Sequence, residues 1–243
     1  MTDMTPHDHI VKSFDEELAR LSGEIARMGE LAVGQLDAAV DLLRRRDARA
    51  AGRVVANDDE IDALERAVGH DALHLLALRQ PMARDLREIY AALRISAALE
   101  RIGDYAANVA KRSVAIDGVL PPAPAERLPR LAASANALVA GALESYLHRD
   151  AEAAAAVRAR DVELDADYTA LFRELLAAMT ADPRRIATCT QLLFMARNIE
   201  RIGDHATTIA ESTWFLVHGE PMAGERAKGD RTSAPPAIGD RGP

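Results

Sequence analysis

Apolar residues return along this chain at helical spacing. Phe14, Leu18, Leu21, Ile25 and Met28 step by four, three, four and three residues, and Leu36, Val40 and Leu43 continue the same stripe. This is the pattern of a helix laid lengthwise against its neighbours. Prolines punctuate it, because proline lacks an N–H and clashes with the preceding turn. No proline lies between Pro6 and Pro81, Pro81 and Pro121, Pro129 and Pro183, or Pro183 and Pro221. Asp47 in "RRRDARAAGR" and Asp150 in "LHRDAEAA" add two breaks, each an acceptor suited to capping a new helix. The pattern predicts six helices, at about 12–46, 48–79, 82–117, 125–148, 150–180 and 183–218. The linker Gly118–Pro129 holds four of the eleven prolines and divides them into two sets of three. Helices of about 30 residues are about 45 Å long, and with short connections they pack as antiparallel bundles. The expected fold is all-α: two tandem three-helix bundles, spanning 1–120 and 121–218. Residues 219–243 lack an apolar period, are rich in Gly and Pro, and read as a disordered tail.

The two halves are copies. "ALERIGDYAANVAKR" (Ala98–Arg112) returns as "NIERIGDHATTIAES" (Asn198–Ser212), with Glu, Arg, Ile, Gly and Asp identical at an offset of 100. "DDEID" (Asp58–Asp62) corresponds to "DVELD" (Asp161–Asp165) at an offset of 103. The chain is therefore a duplication of one three-helix unit.

Duplication yields four acidic pairs at i, i+4: Asp58/Asp62, Glu100/Asp104, Asp161/Asp165 and Glu200/Asp204. Like charges so placed stack on one helix face and repel unless something positive stands between them. On a helical wheel Ile95, Leu99, Ile102, Ala106 and Val109 form the core stripe, with Glu100 opposite and Asp104 and Asn108 about 40° and 80° from it. Met195, Ile199, Ile202, Ala206 and Ile209 form the matching stripe opposite Glu200 and Asp204. The acids of the second and fifth helices flank the stripes of Val54, Ile61, Leu64, Val68 and Leu75, and of Val157, Leu164, Leu171 and Leu175. The wheel thus places the acids on the outside of each bundle. Carboxylates with one amide oxygen make a hard-oxygen donor set, suited to Mg²⁺, Mn²⁺, Ca²⁺ or oxidised iron rather than structural zinc. Arg101 and Arg201 are the candidate internal counter-ions. Gly103 and Gly203, costly inside a helix, imply close helix approach beside the acids.

Composition narrows the classes. The chain has 243 residues, 49% hydrophobic but 4% aromatic, which favours helix over sheet. A net charge of −8 argues against a nucleic-acid partner. One cysteine, Cys189, excludes an internal disulfide and fits a reducing compartment. The first thirty residues carry acids and no long apolar run, so no secretory signal is read, and no window reaches a membrane span. The expected location is the cytoplasm. "HDALH" (His70–His74) imitates the zinc-protease pattern with Asp in place of the required Glu. His7–His9 offers two histidines, and His205 follows Asp204 directly. Glu-x-x-His, the hallmark of di-iron bundles, is absent.

Arg79–Arg112 and Leu193–Glu211, with four acidic pairs at once, resemble the PhoU family of phosphate-transport accessory proteins along residues 10–218. The resemblance implies two three-helix bundles and multinuclear surface sites for hard divalent or ferric ions, with Fe, Mn, Mg or Zn as the candidates. It assigns ligand roles to Asp58, Asp62, Glu100, Asp104, Asn108, Asp161, Asp165, Glu200 and Asp204. Thr208 stands where the family often has Asn, which sets the second site apart. The implied protein is not an enzyme. It restrains phosphate uptake and phosphate-starvation signalling by contacting the ATPase subunit of a phosphate ABC transporter and a membrane sensor histidine kinase, reaches the membrane only through them, and is a homodimer. The competing readings are an accessory subunit for a different phosphate carrier and a metal-dependent hydrolase.

Overall fold

The computed structural model describes residues 6–45, 47–224, 226, 228–230 and 232. Helices α1 (Pro6–Arg45), α2 (Ala48–Ala56), α3 (Asp58–Arg79) and α4 (Arg84–Val114) make the first set. Helices α5 (Pro122–His148), α6 (Ala151–Ala181) and α7 (Ile186–His218) make the second, with a turn of 3₁₀ helix at Pro183–Arg185 before α7. Among the described residues there is no strand, and the expected all-α fold of two three-helix sets holds.

The predicted breaks have the predicted chemistry. The Asp47 carboxylate accepts from the backbone N–H groups of Arg49 (2.9 Å) and Ala50 (3.1 Å), and Asp150 accepts from Ala153 (2.9 Å). Two boundaries differ from expectation. The helix expected over 48–79 is two helices, jointed at Asn57. Asn57 keeps right-handed helical angles (φ −66°, ψ −19°), and its carbonyl accepts from Glu60 at 3.2 Å, the tighter three-residue spacing. Asp58, Asp59 and Glu60 then crowd the first turn of α3, where the helix dipole favours anions. Helix α5 begins at Pro122 rather than near 125, with Pro122 in its first turn, where a missing N–H costs nothing, and Pro129 inside it.

The stripes read from the sequence are the core. Leu18, Leu21, Ile25, Met28, Leu36, Val40 and Leu43 of α1 are buried, as are the five stripe residues of α4 and the five of α7. The two sets are not separate bodies. Helix α4 packs most extensively on α7, and one hydrophobic cluster runs through all seven helices. Polar ties cross the junction. Arg149 pairs with buried Glu88 at 2.5 Å, and the Asn136 amide donates to Asp37 Oδ1 (2.8 Å) and the Val33 carbonyl (3.2 Å). The segment after Gly219 has no helix or strand among its described residues, in line with its composition, yet Arg158 donates to the carbonyls of Ala223 (3.3 Å) and Gly224 (2.8 Å) and ties it to α6. The remainder of the expected tail lies outside the described residues.

Gly103 and Gly203 stand where neighbouring helices come close beside the acids. A Cβ on Gly103 would lie 2.8 Å from Asp58 Oδ1 and 2.9 Å from Ile61 Cδ1. On Gly203 it would lie 2.3 Å from Leu164 Cδ2 and 2.8 Å from Asp161 Oδ1. Alanine gains about 1 kcal/mol of helix propensity there, but overpacking costs about 1–3 kcal/mol. Leu164 and Asp161 are both buried, so the added methyl presses on packed neighbours. Gly203→Ala is therefore expected to destabilise the protein by about 1 kcal/mol or more, and Gly103→Ala by less. Urea unfolding checks this; a stabilised Gly203→Ala would show that α6 and α7 do not approach so closely.

Candidate metal-binding faces

The first face lies along the seam of α3 and α4. Asp58 and Asp62 stand on successive turns of α3, and Glu100 and Asp104 on successive turns of α4. All four are half-buried, while Asn108, one turn further, is exposed. Burial pushes the Asp58 carboxyl above its usual range; the Gln35 amide opposes this, and Asp104 and Asp62 add to it. Glu100 is raised first by burial and next by Asp104, with Asp62 and Glu65 contributing. The seam thus gathers five carboxylates. Arg101 is the internal counter-ion expected of it, 3.3 Å from Glu100 and 3.0 Å from Asp104. Behind the carboxylates, buried Gln35 of α1 donates to Asp58 Oδ1 (3.2 Å) and the Gly103 carbonyl (3.3 Å).

The second face, along α6 and α7, departs from the wheel. Asp161, Asp165 and Glu200 are buried; only Asp204 is half-exposed. A wheel knows its own helix and not what covers it. Here the cover is the segment after α7. Arg226 bridges Asp161 and Asp204, the latter at 2.7 Å, and the Gly229 N–H donates to Asp165 Oδ2 at 2.8 Å. Arg197 holds Glu200 (3.1 Å) and Asp230 (2.8 Å) together. Burial pushes Glu200 up to about 7, with Asp204 next in effect. Burial also raises Asp161, against the pull of Arg226. Arg201, the other expected counter-ion, instead reaches across to the Tyr105 hydroxyl at 3.2 Å.

The donor set fits hard cations. It is all oxygen, and two of its buried oxygens, Asp161 Oδ1 and Glu200 Oε2, lack a hydrogen-bond partner, as does Gln35 Oε1 behind the first face. Among the described residues, no three acidic, imidazole or thiol side chains are already drawn together around one ion-sized point. Thr208, which replaces Asn108 of the first copy, donates its hydroxyl to the Asp204 carbonyl of its own helix at 3.2 Å.

Sequence reasoning missed Gln35, Glu65, Arg197, Arg226 and Asp230. Gln35 had a signal: it is a polar residue seven after Met28, on the apolar stripe of α1. Arg226 and Asp230 had none, being scattered charges in a Gly-rich stretch. His70 and His74 stack with ring centroids 6.3 Å apart on the exposed side of α3, where His70 meets Asp71. Cys189 is a fully buried core residue. The side chains of His7–His9 lie outside the described residues.

The PhoU domain matches this chain twice, over residues 25–113 and 128–213. A phosphate-specific transport system accessory protein PhoU homolog of Xylella fastidiosa (strain 9a5c) is 58% identical over 226 residues, 93% of this chain and 95% of its own length. One of the same name from Rhizobium meliloti (strain 1021) is 46% identical over 96% of this chain and 99% of its own. Among solved structures, PhoU from Pseudomonas aeruginosa superposes with a TM-score of 0.81 at 34% identity, over 85% of this chain and all of that one. The phosphate transport system regulatory protein PhoU from Streptococcus pneumoniae superposes with a TM-score of 0.79 at 26% identity, over 86% of this chain and 99% of that one.

Glu200 sets a pH dependence on the metal-free protein. Its folded value of about 7 lies above the ordinary 4.5. Its contribution is thus fully present below pH 4.5 and is lost as pH rises towards 7. Glu200→Gln in chelator-treated protein is expected to flatten stability between pH 4.5 and 7, and to raise it at pH 8 by about 1–3 kcal/mol. Urea unfolding across that range decides; an unchanged slope would show that Glu200 ionises normally.

Proposed function

The chain belongs to the PhoU family, and from that premise we propose that it is an accessory regulator of phosphate-specific transport, restraining phosphate uptake and phosphate-starvation signalling. The observation that carries this is likeness through both repeats, over nearly the whole helical body, to proteins named for that transport system. No helix among the described residues is long and apolar enough to cross a membrane, so contact with a transporter is contact with a partner. The partners proposed are the ATPase subunit of the phosphate ABC transporter and the membrane sensor histidine kinase, both met from the cytoplasmic side by a homodimer. The protein acts as an adaptor without turnover.

Metal belongs to the same proposal. Asp58, Asp62, Glu100, Asp104 and Asn108 would hold hard divalent or ferric ions at the first face, and Asp161, Asp165, Glu200 and Asp204 at the second. Such ions supply the positive charge that clustered carboxylates lack. The two orphaned carboxylate oxygens and the raised Glu200 support this, since each marks a buried carboxylate short of compensation.

Glu100→Ala/Asp104→Ala is expected to lose at least half of the bound metal and to fail to restore repression of the phosphate-starvation response in a deletion strain. Elemental analysis of the purified protein and a starvation reporter read the two effects. Full metal content in the double variant would sink the site assignment. Phosphoester hydrolysis at enzyme-like rates would sink the adaptor reading.

A further inference from the structure

We propose that Ala223, Gly224, Arg226, Gly229 and Asp230 form a built-in plug for the second acidic face, with Arg226 holding the place that a metal ion otherwise takes; this rests on the metal reading of that face. The first face is its internal control. Both faces descend from one unit, yet the Glu100 side chain is 25% exposed and its copy Glu200 5%. Asp62 is half-exposed and its copy Asp165 buried. In the first repeat the chain leaving α4 passes into α5, and the four acids there stay part-exposed. After α7 no helix follows among the described residues, and the segment turns back at Gly219.

The contacts are those of a seated cation. Arg226 is 15% exposed and bridges one carboxylate from each helix, Asp161 of α6 and Asp204 of α7. The Gly229 N–H and Asp230 fasten the segment on either side of the remaining acids, Gly229 to Asp165 and Asp230 through Arg197 to Glu200.

The plug is a poor neutraliser. Asp161 Oδ1, Glu200 Oε2 and Arg226 Nε are all buried without partners. Arg226 brings one positive charge, and Asp230 brings a further negative one. A divalent or ferric ion brings two or three charges and accepts oxygen donors from every side. The second face therefore exchanges between a plugged and a metal-loaded state, and the plug lowers apparent metal affinity by the fraction of time the face is open. The first face, uncovered, fills at lower metal concentration.

The test titrates Mn²⁺ alone into chelator-treated full-length protein carrying Glu100→Ala/Asp104→Ala, so that binding reports the second face. Arg226→Ala is expected to tighten Mn²⁺ binding about tenfold or more. Asp230→Ala separates a plug from simple charge. Removing that carboxylate weakens cation binding if only local potential matters, but tightens it if the segment is being released. In the same background without either change, Mn²⁺ is expected to strip hydrogen-exchange protection from the Gly229 amide. Unchanged affinity in Arg226→Ala, or weakened affinity in Asp230→Ala, overturns the plug while Mn²⁺ still binds the first face of wild type. Mn²⁺ binding at neither face, in wild type or either variant, overturns the metal reading itself and the plug with it.

Discussion

A carboxylate lies where a side chain would otherwise stand between two helices. Gly103 and Gly203 let α4 and α7 come so near α3 and α6 that Asp58 Oδ1 and Asp161 Oδ1 reach within 2.8 Å of the Cβ position each glycine leaves empty. Taking a charged oxygen out of water costs several kcal/mol unless hydrogen bonds and opposite charge offset it. Each repeat must meet that demand, and they meet it differently. In the first, Gln35 donates to Asp58, and Asp58 sits in the first turn of α3, where the dipole favours it. In the second, the residue at the position of Gln35 is Leu138, at the same 103-residue offset that relates Asp58 to Asp161, and it packs beside Gly203. Asp161 also lies in mid-helix, without a terminus to help it. Its Oδ1 is accordingly unpartnered and its Oδ2 is taken by Arg226. The start of α3 at Asp58, the glutamine in α1 and the fold-back of the last segment all answer the same demand, made by Asp58 in one repeat and by Asp161 in the other.

The same helices make the core. One side of α4 and of α7 carries the apolar stripe, another carries acids, and the two helices pack on each other between the faces. Across that junction Arg201 reaches the Tyr105 hydroxyl, and the Tyr105 and His205 rings lie 5.7 Å apart. Burial lowers the His205 pKa against the pull of Asp204, and Arg101 and Arg201 add to the lowering. The faces are thus joined by packed side chains rather than by a flexible linker.

How far the sequence reveals this follows from the range of each interaction. The stripes of α1, α4 and α7 are local and periodic, and all were legible. So were the Asp47 and Asp150 caps, because a cap acts within three residues. The close approach at Gly103 and Gly203 was legible through repetition, since a residue costly in a helix stands twice in the same place. The break at Asn57 was not, because Asn at a joint and Asn within a helix look alike until the acidic first turn is recognised as a start. Burial of the second acids was not legible at all. A wheel reports the angle of a residue on one helix, and Asp165 is covered by a glycine 64 residues away.

Duplication explains why the two faces became unequal. The first repeat runs on into α5, whereas after α7 no helix follows among the described residues. The first repeat's exit is committed to reaching α5, so its face stays open and must be stabilised from within, by Gln35 and Arg101. The second repeat's exit is unconstrained, so a cation can be recruited from it, and Leu138 is tolerable where the first repeat carries glutamine. A cation recruited from a segment with no helix or strand among its described residues is held by few contacts, and such segments open at low free-energy cost. The inequality is therefore one of access as well as composition. The first face carries a compensation that cannot leave, and the second carries one that can.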